Sequence, residues 1–278
     1  MNKEFKNSLY AVFGNPIDHS QSPKIHNFFL KKYNFHENYI RVCLEKENFL
    51  SDILFFFKNG GKGANITLPF KEKVFSICDS ITERARIAGA INTIKKTKKK
   101  GLLGDNTDGI GFLSDLIFKK LIKKNFNILL LGAGGAARGV LHPLLNFKCN
   151  VYITNRTFSK AEYLSEKFKK FGNIQSVSLN SLHRKNYNLV VNATSTSVLN
   201  ISPVIPSSLV SKKTIYYDMF YGEKNTSFIN FCKKHGAQKV FNGFGMLVNQ
   251  AAHSFFLWKK IFPNVNDVFY FFERKTVT

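Results

Sequence analysis

The chain has 278 residues, room for about two domains at ~150 residues each, and its 44% hydrophobic content allows a substantial core. Its 41 Lys and Arg against 18 Asp and Glu give a net charge of +23, yet no aromatic-and-basic module accompanies the charge, so no specific nucleic-acid partner is expected. Cys43, Cys78, Cys149 and Cys232 are scattered without metal or disulfide spacing, no export signal opens the chain, and no run approaches the ~18 apolar residues of a membrane helix, which together argue for a cytoplasmic protein without a metal.

Strand and helix patterns then alternate from end to end, the mark of an α/β fold with mostly parallel sheets. "SLYAVFG" (8–14) reads as a strand. In "SPKIHNFFLKKY" (22–33) Ser22 is placed to cap, Pro23 suits the first turn, and Ile25, Phe28, Phe29 and Tyr33 recur at helical spacing. "YIRVCL" (39–44), "GKGANITL" (61–68) and "AGAINTIK" (88–95) continue as strands, with a helix over "ENFLSDILFFFKN" (47–59). Pro69 favours a helix start just ahead of Lys71. "KKTKKKGLL" (95–103) reads as a basic surface hairpin.

A second unit begins near Thr107. The helix "TDGIGFLSDLIFKKL" (107–121) leads into "FNILLLGAGGAARGVLHPLL" (126–145), "NVYITNRTFSKAEYLSEKF" (150–168), "YNLVVNAT" (187–194) and "TIYYDMFY" (214–221). That succession is the pattern of a doubly wound nucleotide-binding sheet. The closing "GFGMLVNQAAHSFFLWKKIF" (243–262) is a long helix that must pack outside that sheet.

Three features carry chemistry. In "ILLLGAGGAARGVL" the glycines follow a buried-type strand and open a helix, whose free N–H groups suit a pyrophosphate. A plain strand–helix turn uses the same residues, but the context favours a cofactor. At the end of the next strand, where an NAD enzyme needs an acid for the ribose, stand Asn155, Arg156 and Thr157, with Lys160 beyond. A guanidinium there suits a 2′-phosphate and points to NADP. Finally, "ANITLPFK" (64–71), "AINT" (90–93) and "GDNTDG" (104–109) put polar residues at strand ends, where sites on parallel sheets gather. Lys71 and Asp108 are candidates for a proton-transferring pair; a surface ion pair is the plain alternative.

These residues resemble the shikimate dehydrogenase family over nearly the whole chain. "YAVFGNPIDHSQSPKIHN", "GGKGANITLPFKE", "AGAINT", "LLGDNTDGIGF", "GAGGAARGVL", "TNRT", "VNATS", "YDMFY" and "GMLVNQAAHSFFLW" occur in the family's order and spacing. The resemblance implies reversible NADPH-dependent reduction of 3-dehydroshikimate to shikimate in aromatic amino-acid biosynthesis, by a monomer or homodimer. It implies an α/β fold of two domains: a discontinuous substrate-binding domain, 1–105 and 243–278, and a Rossmann-type NADP domain, 106–242. Lys71 matches the catalytic lysine, with Asp108 beside it. Ser20 and Ser22 match the residues that bind the substrate carboxylate. Asn65, Thr67, Asn92, Asp108 and Gln250 match those that hold the ring hydroxyls, and Tyr221 matches a further substrate contact. On the cofactor side the resemblance assigns Gly132, Ala133, Gly134, Gly135 and Ala136 to the pyrophosphate. It gives Asn155, Arg156, Thr157 and Lys160 to the adenosine phosphate, and Met219 and Gly243 to the nicotinamide; Glu83 matches another cofactor position.

Three positions depart from the family pattern: Ser197 stands for a glycine, Lys160 for a second arginine and Ala137 for a serine. They bear on cofactor affinity rather than on reaction type. The rival readings are a quinate/shikimate dehydrogenase using NAD or NADP, against which Arg156 counts, a basic nucleic-acid-binding protein, and an inactive relative, against which Lys71 and Asp108 count.

Overall fold

The computed structural model describes residues 8–99, 101–184, 186–222 and 224–275. The chain divides into two compact units, Met1–Gly111 with Val248–Thr278, and Phe112–Leu247. Both division points fall inside helices, whereas the sequence suggested borders in the preceding loops, at 105/106 and 242/243. Apolar periodicity runs unbroken through each helix, so no local turn residue marks the crossing.

In the first unit the strands are β1 (Ser8–Gly14), β2 (Asn38–Cys43), β3 (Gly63–Ile66), β4 (Ser80–Ile81), β5 (Thr93–Lys96) and β6 (Leu102–Asp105). The helices of this stretch are α1 (Ser22–Lys32), α2 (Phe49–Lys58), α3 (Glu83–Ala88) and α4 (Asp108–Phe118). The sheet order is β2-β1-β3-β5-β6-β4. The helical crossovers make β1 parallel to β2 and β3, but β5 runs antiparallel to both β3 and β6. The basic segment is the reason: it turns tightly as a hairpin, with Thr97 N–H on the Gly101 carbonyl at 2.8 Å, and a two-strand hairpin can only be antiparallel. Lys100 of that hairpin lies outside the described residues. The sheet is therefore mixed, with β5 the strand that runs against its neighbours and the remaining pairs parallel.

Three local expectations need correction. Residues 88–95 are not one strand: Thr82 caps α3, which ends at Gly89 in the left-handed conformation (φ 63°), and β5 starts only at Thr93. Pro69 does not open a helix; turns lead instead to a short 3-10 helix at Val74–Ile77. Ser22 is the first helical residue of α1 rather than its cap. Gln21 holds the cap position, and Ser20 Oγ accepts the Ser22 N–H at 3.4 Å.

Chain order continues in the second unit with β7 (Asn127–Leu131), β8 (Asn150–Thr154), β9 (Ile174–Ser176), β10 (Leu189–Asn192), β11 (Ile215–Asp218) and β12 (Lys239–Phe241). Helices α5 (Gly135–Asn146), α6 (Phe158–Phe168) and α7 (Ser227–Lys234) connect them. The order β12-β11-β10-β7-β8-β9 with every pair parallel is the doubly wound dinucleotide-binding arrangement, its switch point between β7 and β10. The strands "LVVN" and "IYYD" are buried throughout, as sheets covered on both faces require. The chain then runs along α8 (Phe244–Lys259) and ends in α9 (Asn266–Lys275).

Two aromatic layers build the first unit's core. On one side Phe13 meets Phe56 edge-on at 5.3 Å and Phe49 stacks on Phe70 at 4.6 Å. On the other, Trp258 of α8 packs on Tyr10 at 4.9 Å and on His26 at 5.1 Å, and its indole donates to the Ile94 carbonyl at 3.0 Å. Trp258 crosses so close to β3 that a Cβ on Gly63 would lie 2.5 Å from its Nε1. Among the described residues no helix is long and apolar enough to cross a membrane.

Candidate active site

The first unit gathers a connected polar cluster around Asp108, the first residue of α4. Lys71 Nζ lies 2.6 Å from Asp108 Oδ2. Both side chains are mostly covered, so the pair is shielded more than a surface ion pair. The other oxygen, Oδ1, accepts Asn92 Nδ2 at 2.7 Å, and the Asp108 N–H donates to Asn106 Oδ1 at 3.1 Å. Each carboxylate oxygen thus has its own donor, which fixes the rotamer. An ammonium held this way can present its remaining hydrogens to a substrate oxygen.

A second layer orients the first. Asn92 Oδ1 accepts the Thr107 N–H at 2.7 Å and the Thr93 hydroxyl at 2.8 Å. Ser254 of α8, fully buried, lies within 2.9–3.1 Å of Thr93 Oγ1, Thr107 Oγ1 and Asn65 Nδ2. Asn65 Oδ1 accepts the Tyr39 hydroxyl at 2.7 Å. Gln250, one turn before Ser254, reaches Asn92 and Thr107 with Oε1 at 3.4 Å. Buried polar groups need such mutual satisfaction, since each orphan is costly. Asn65, Asn92, Asp108 and Gln250 are therefore brought together, with Lys71. Tyr39, Thr93, Thr107 and Ser254 were missed; Ser254 alone left a signal, its helical spacing from Gln250.

A further ion pair supports the loop that precedes Asp108. Asp105, with no exposed surface, accepts Thr82 Oγ1 at 2.6 Å, Arg84 Nε at 2.7 Å and the Asn106 N–H at 2.8 Å on one oxygen, and Arg84 Nη2 on the other. Burial alone would raise its carboxyl; the Arg84 guanidinium and these donors overcome that and hold it below the usual range. His26 differs in kind. It stacks on Tyr39 at 4.3 Å, and burial drives it down to about 3 against a weaker pull from Asn65, so it is a neutral packing ring.

Ser20 and Ser22 are buried at the entry to α1, and Thr67 is half-buried just beyond β3. Glu83 is an exposed first-turn residue of α3, where a carboxylate complements the helix dipole. It belongs to the first unit, whereas the other residues matched to the cofactor belong to the second.

In the second unit Gly132 follows β7 with φ +106°, and a Cβ there would lie 3.0 Å from the Ala193 carbonyl oxygen. Only glycine suits that turn. Gly134 is the N-cap of α5, and a Cβ on it would meet nothing within 4 Å, so there is open space at the helix start. Ala133, Gly135 and Ala136 complete the turn. Neither α5 nor α6 has an acidic residue in its first turn. Arg156, Thr157 and Lys160 are exposed at the end of β8 and the start of α6, and Asn155 Nδ2 braces the bend by donating to the Thr157 carbonyl at 2.9 Å. A turn with three glycines, a free helix N-terminus and two exposed cations fit a phosphorylated dinucleotide. Met219 and Gly243 also meet: a Cβ on Gly243 would sit 2.1 Å from the Met219 carbonyl oxygen. Tyr221 lies nearby in sequence, its ring 6.0 Å from that of Phe220.

The family model of the shikimate dehydrogenase substrate binding domain matches residues 12–94, and that of shikimate / quinate 5-dehydrogenase matches 113–215. The shikimate dehydrogenase (NADP(+)) of Buchnera aphidicola subsp. Schizaphis graminum is 49% identical over 259 residues, covering 93% of this chain and 94% of that protein. An Ael1 enzyme from Pseudomonas putida aligns with a TM-score of 0.87 at 35% identity, covering 94% and 96% of the two chains. The shikimate 5-dehydrogenase of Thermus thermophilus, solved in complex with NADP(H) and shikimate, aligns with a TM-score of 0.82 at 32% identity over 92% and 95%. With the fold, the glycine turn and matches over nearly its whole length, this chain belongs to the shikimate dehydrogenase family.

Proposed function

We propose that the chain is an NADP-dependent shikimate dehydrogenase that interconverts shikimate and 3-dehydroshikimate, with Lys71 and Asp108 as its proton-transferring pair. The observation that carries the reading is the shielded 2.6 Å contact between Lys71 and Asp108, braced by Asn92. NADP, when bound, supplies or removes the hydride.

The residues do the rest. In the reducing direction the Lys71 ammonium donates a hydrogen bond to the substrate carbonyl oxygen, stabilises the charge that develops there and then releases its proton to it. Asp108 holds the ammonium in place. In the oxidising direction the Lys71 amine takes the proton back from the hydroxyl. Ser20 and Ser22 hold the substrate carboxylate, while Thr67, Gln250 and Tyr221 select for ring hydroxyls together with Asn65 and Asn92. An analogue lacking one of those hydroxyls leaves a polar group unpaired, which is how such a site discriminates. Gly132 to Ala136 approach the pyrophosphate, and Asn155, Arg156, Thr157 and Lys160 take the adenosine phosphate. Met219 and Gly243 flank the nicotinamide. The enzyme acts in the cytoplasm, as a monomer or homodimer, without nucleic acid.

Initial rates with shikimate or quinate, each offered NADP+ or NAD+, test this. Shikimate with NADP+ is expected to be fastest by a wide margin. Equal rates with quinate favour the sister activity, equal rates with NAD+ remove Arg156 from cofactor choice, and no rate with any pair refutes the proposal.

A further inference from the structure

We infer that Ser197 is a positioning residue for NADP, acting through Asp218 on the segment that carries Met219 and Tyr221. The inference rests on the cofactor reading above and deepens it. Asp218 ends β11 with no exposed surface, and its carboxylate is held by hydroxyl and amide donors. Ser197 Oγ and Thr226 Oγ1 both donate to Oδ2 at 2.6 Å, while the Phe220 N–H at 3.0 Å and Asn192 Nδ2 at 3.3 Å donate to Oδ1. The two hydroxyl contacts are the short ones, as charge-assisted bonds are.

The geometry links this carboxylate to the glycine turn and to the Met219 segment. Asn192 ends β10, beside the sheet's switch point. Its Nδ2 donates to Ser197 Oγ at 3.1 Å, and its backbone oxygen accepts the Met219 N–H at 3.0 Å. Its Oδ1 accepts the N–H and hydroxyl of Thr194 at 3.1 and 2.6 Å. Thr194 in turn lies against the glycine turn: a Cβ on Gly132 would be 3.1 Å from its Cγ2. Ser197 therefore receives one hydrogen bond from β10 and gives one to β11, joining the loop after Asn192 to the strand end that precedes Met219. It is itself buried. A glycine in its place has no group to make either bond, leaving Asp218 one charge-assisted donor short and the Met219 segment freer before the cofactor binds. Ordering that segment then draws on binding free energy.

Ser197→Ala and Ser197→Gly remove the hydroxyl, and Ser197→Thr retains it. The NADP+ dissociation constant, measured by calorimetry without substrate, is expected to rise about tenfold in the alanine and glycine variants, the loss typical of one hydrogen bond to a charged group. The threonine variant should stay within about threefold of wild type, and kcat at saturating NADP+ should fall by less than about threefold in all of them, placing the effect in KM. Thermal midpoints identify any variant that fails to fold, and the two hydroxyl-free variants then substitute for each other. Alanine and glycine variants that bind NADP+ as wild type does, or a folded threonine variant that loses as much as they do, overturn the role of the hydroxyl. A wild-type chain that does not bind NADP+ at all overturns the cofactor reading as well, so the two failures are distinct.

Discussion

Replacing Arg84 by Met tests the ion pair beneath the candidate active site. Asp105 is fully buried and accepts four hydrogen bonds, two of them from the guanidinium. The substitution removes those two and the positive charge, leaving a carboxylate with Thr82 and the Asn106 N–H. Breaking a buried pair on one side costs about 3–5 kcal/mol. Arg84 is 39% exposed, so water replaces part of what is lost, and the expected cost is about 2–3 kcal/mol. At about 2–4 °C per kcal/mol for a unit of this size, the melting midpoint should fall by roughly 5–10 °C. The sign of the pH dependence is also fixed. The folded carboxyl lies below its unfolded value, so its stabilisation is complete above the ordinary carboxylate pKa of about 4 and is lost as pH falls through the folded value. The deficit of Arg84→Met should therefore be largest near neutrality and narrow on acidification. Adding Asp105→Leu should recover part of the loss, because no unpaired charge then remains. Thermal and urea melts followed by the fluorescence of Trp258, the chain's single tryptophan, read the first unit directly. An unchanged midpoint, or a deficit that stays the same when the pH is taken well below the ordinary carboxylate value, refutes the reasoning.

Gly63→Ala should destabilise the same unit by about 1–3 kcal/mol by overpacking the indole of Trp258, with a shifted emission maximum; a wild-type midpoint and spectrum would contradict it. Arg156→Glu should weaken NADP+ binding by about 10- to 100-fold, the equivalent of a lost charge-assisted bond, and leave NAD+ binding nearly unchanged. Titration of both cofactors decides the point, and parallel losses would show that Arg156 does not contact the 2′-phosphate.

Much of this architecture was legible because it is written in local patterns. The buried strands of the second unit are continuous apolar runs, and the glycine turn sits between such a run and a helix. Its parallel order follows from alternating strands and helices. The first unit was harder to read. Alanine- and glycine-rich "AGAINTIK" concealed a change from helix to strand, since Gly89 is a helix terminator that reads equally well inside a strand. The antiparallel strand arose from a lysine hairpin read as surface decoration. Strands as short as Ser80–Ile81 and Lys239–Phe241 contain too few residues to show a period.

The same division holds for the site. Lys71 and Asp108 stood out as polar residues at strand ends, yet their contact spans 37 positions and no spacing rule encodes it. Thr93, Thr107, Ser254 and Tyr39 matter through their hydrogen bonds to one another and to Asn65 and Asn92. Small hydroxyl residues are common in helices and strands for unrelated reasons, so their convergence becomes visible only in three dimensions. Ser197 lay between these cases: it was noticed as a departure from a motif, but its partner Asp218 was not foreseeable.

The most direct measurement is the turnover of Lys71→Met with shikimate and NADP+, taken beside its NADP+ dissociation constant. Loss of the proton-transferring group should lower kcat by about 10²- to 10⁴-fold while the dissociation constant stays within about twofold of wild type. Undiminished turnover would contradict the assignment of Lys71, and a loss explained entirely by weaker NADP+ binding would move its role from chemistry to the cofactor.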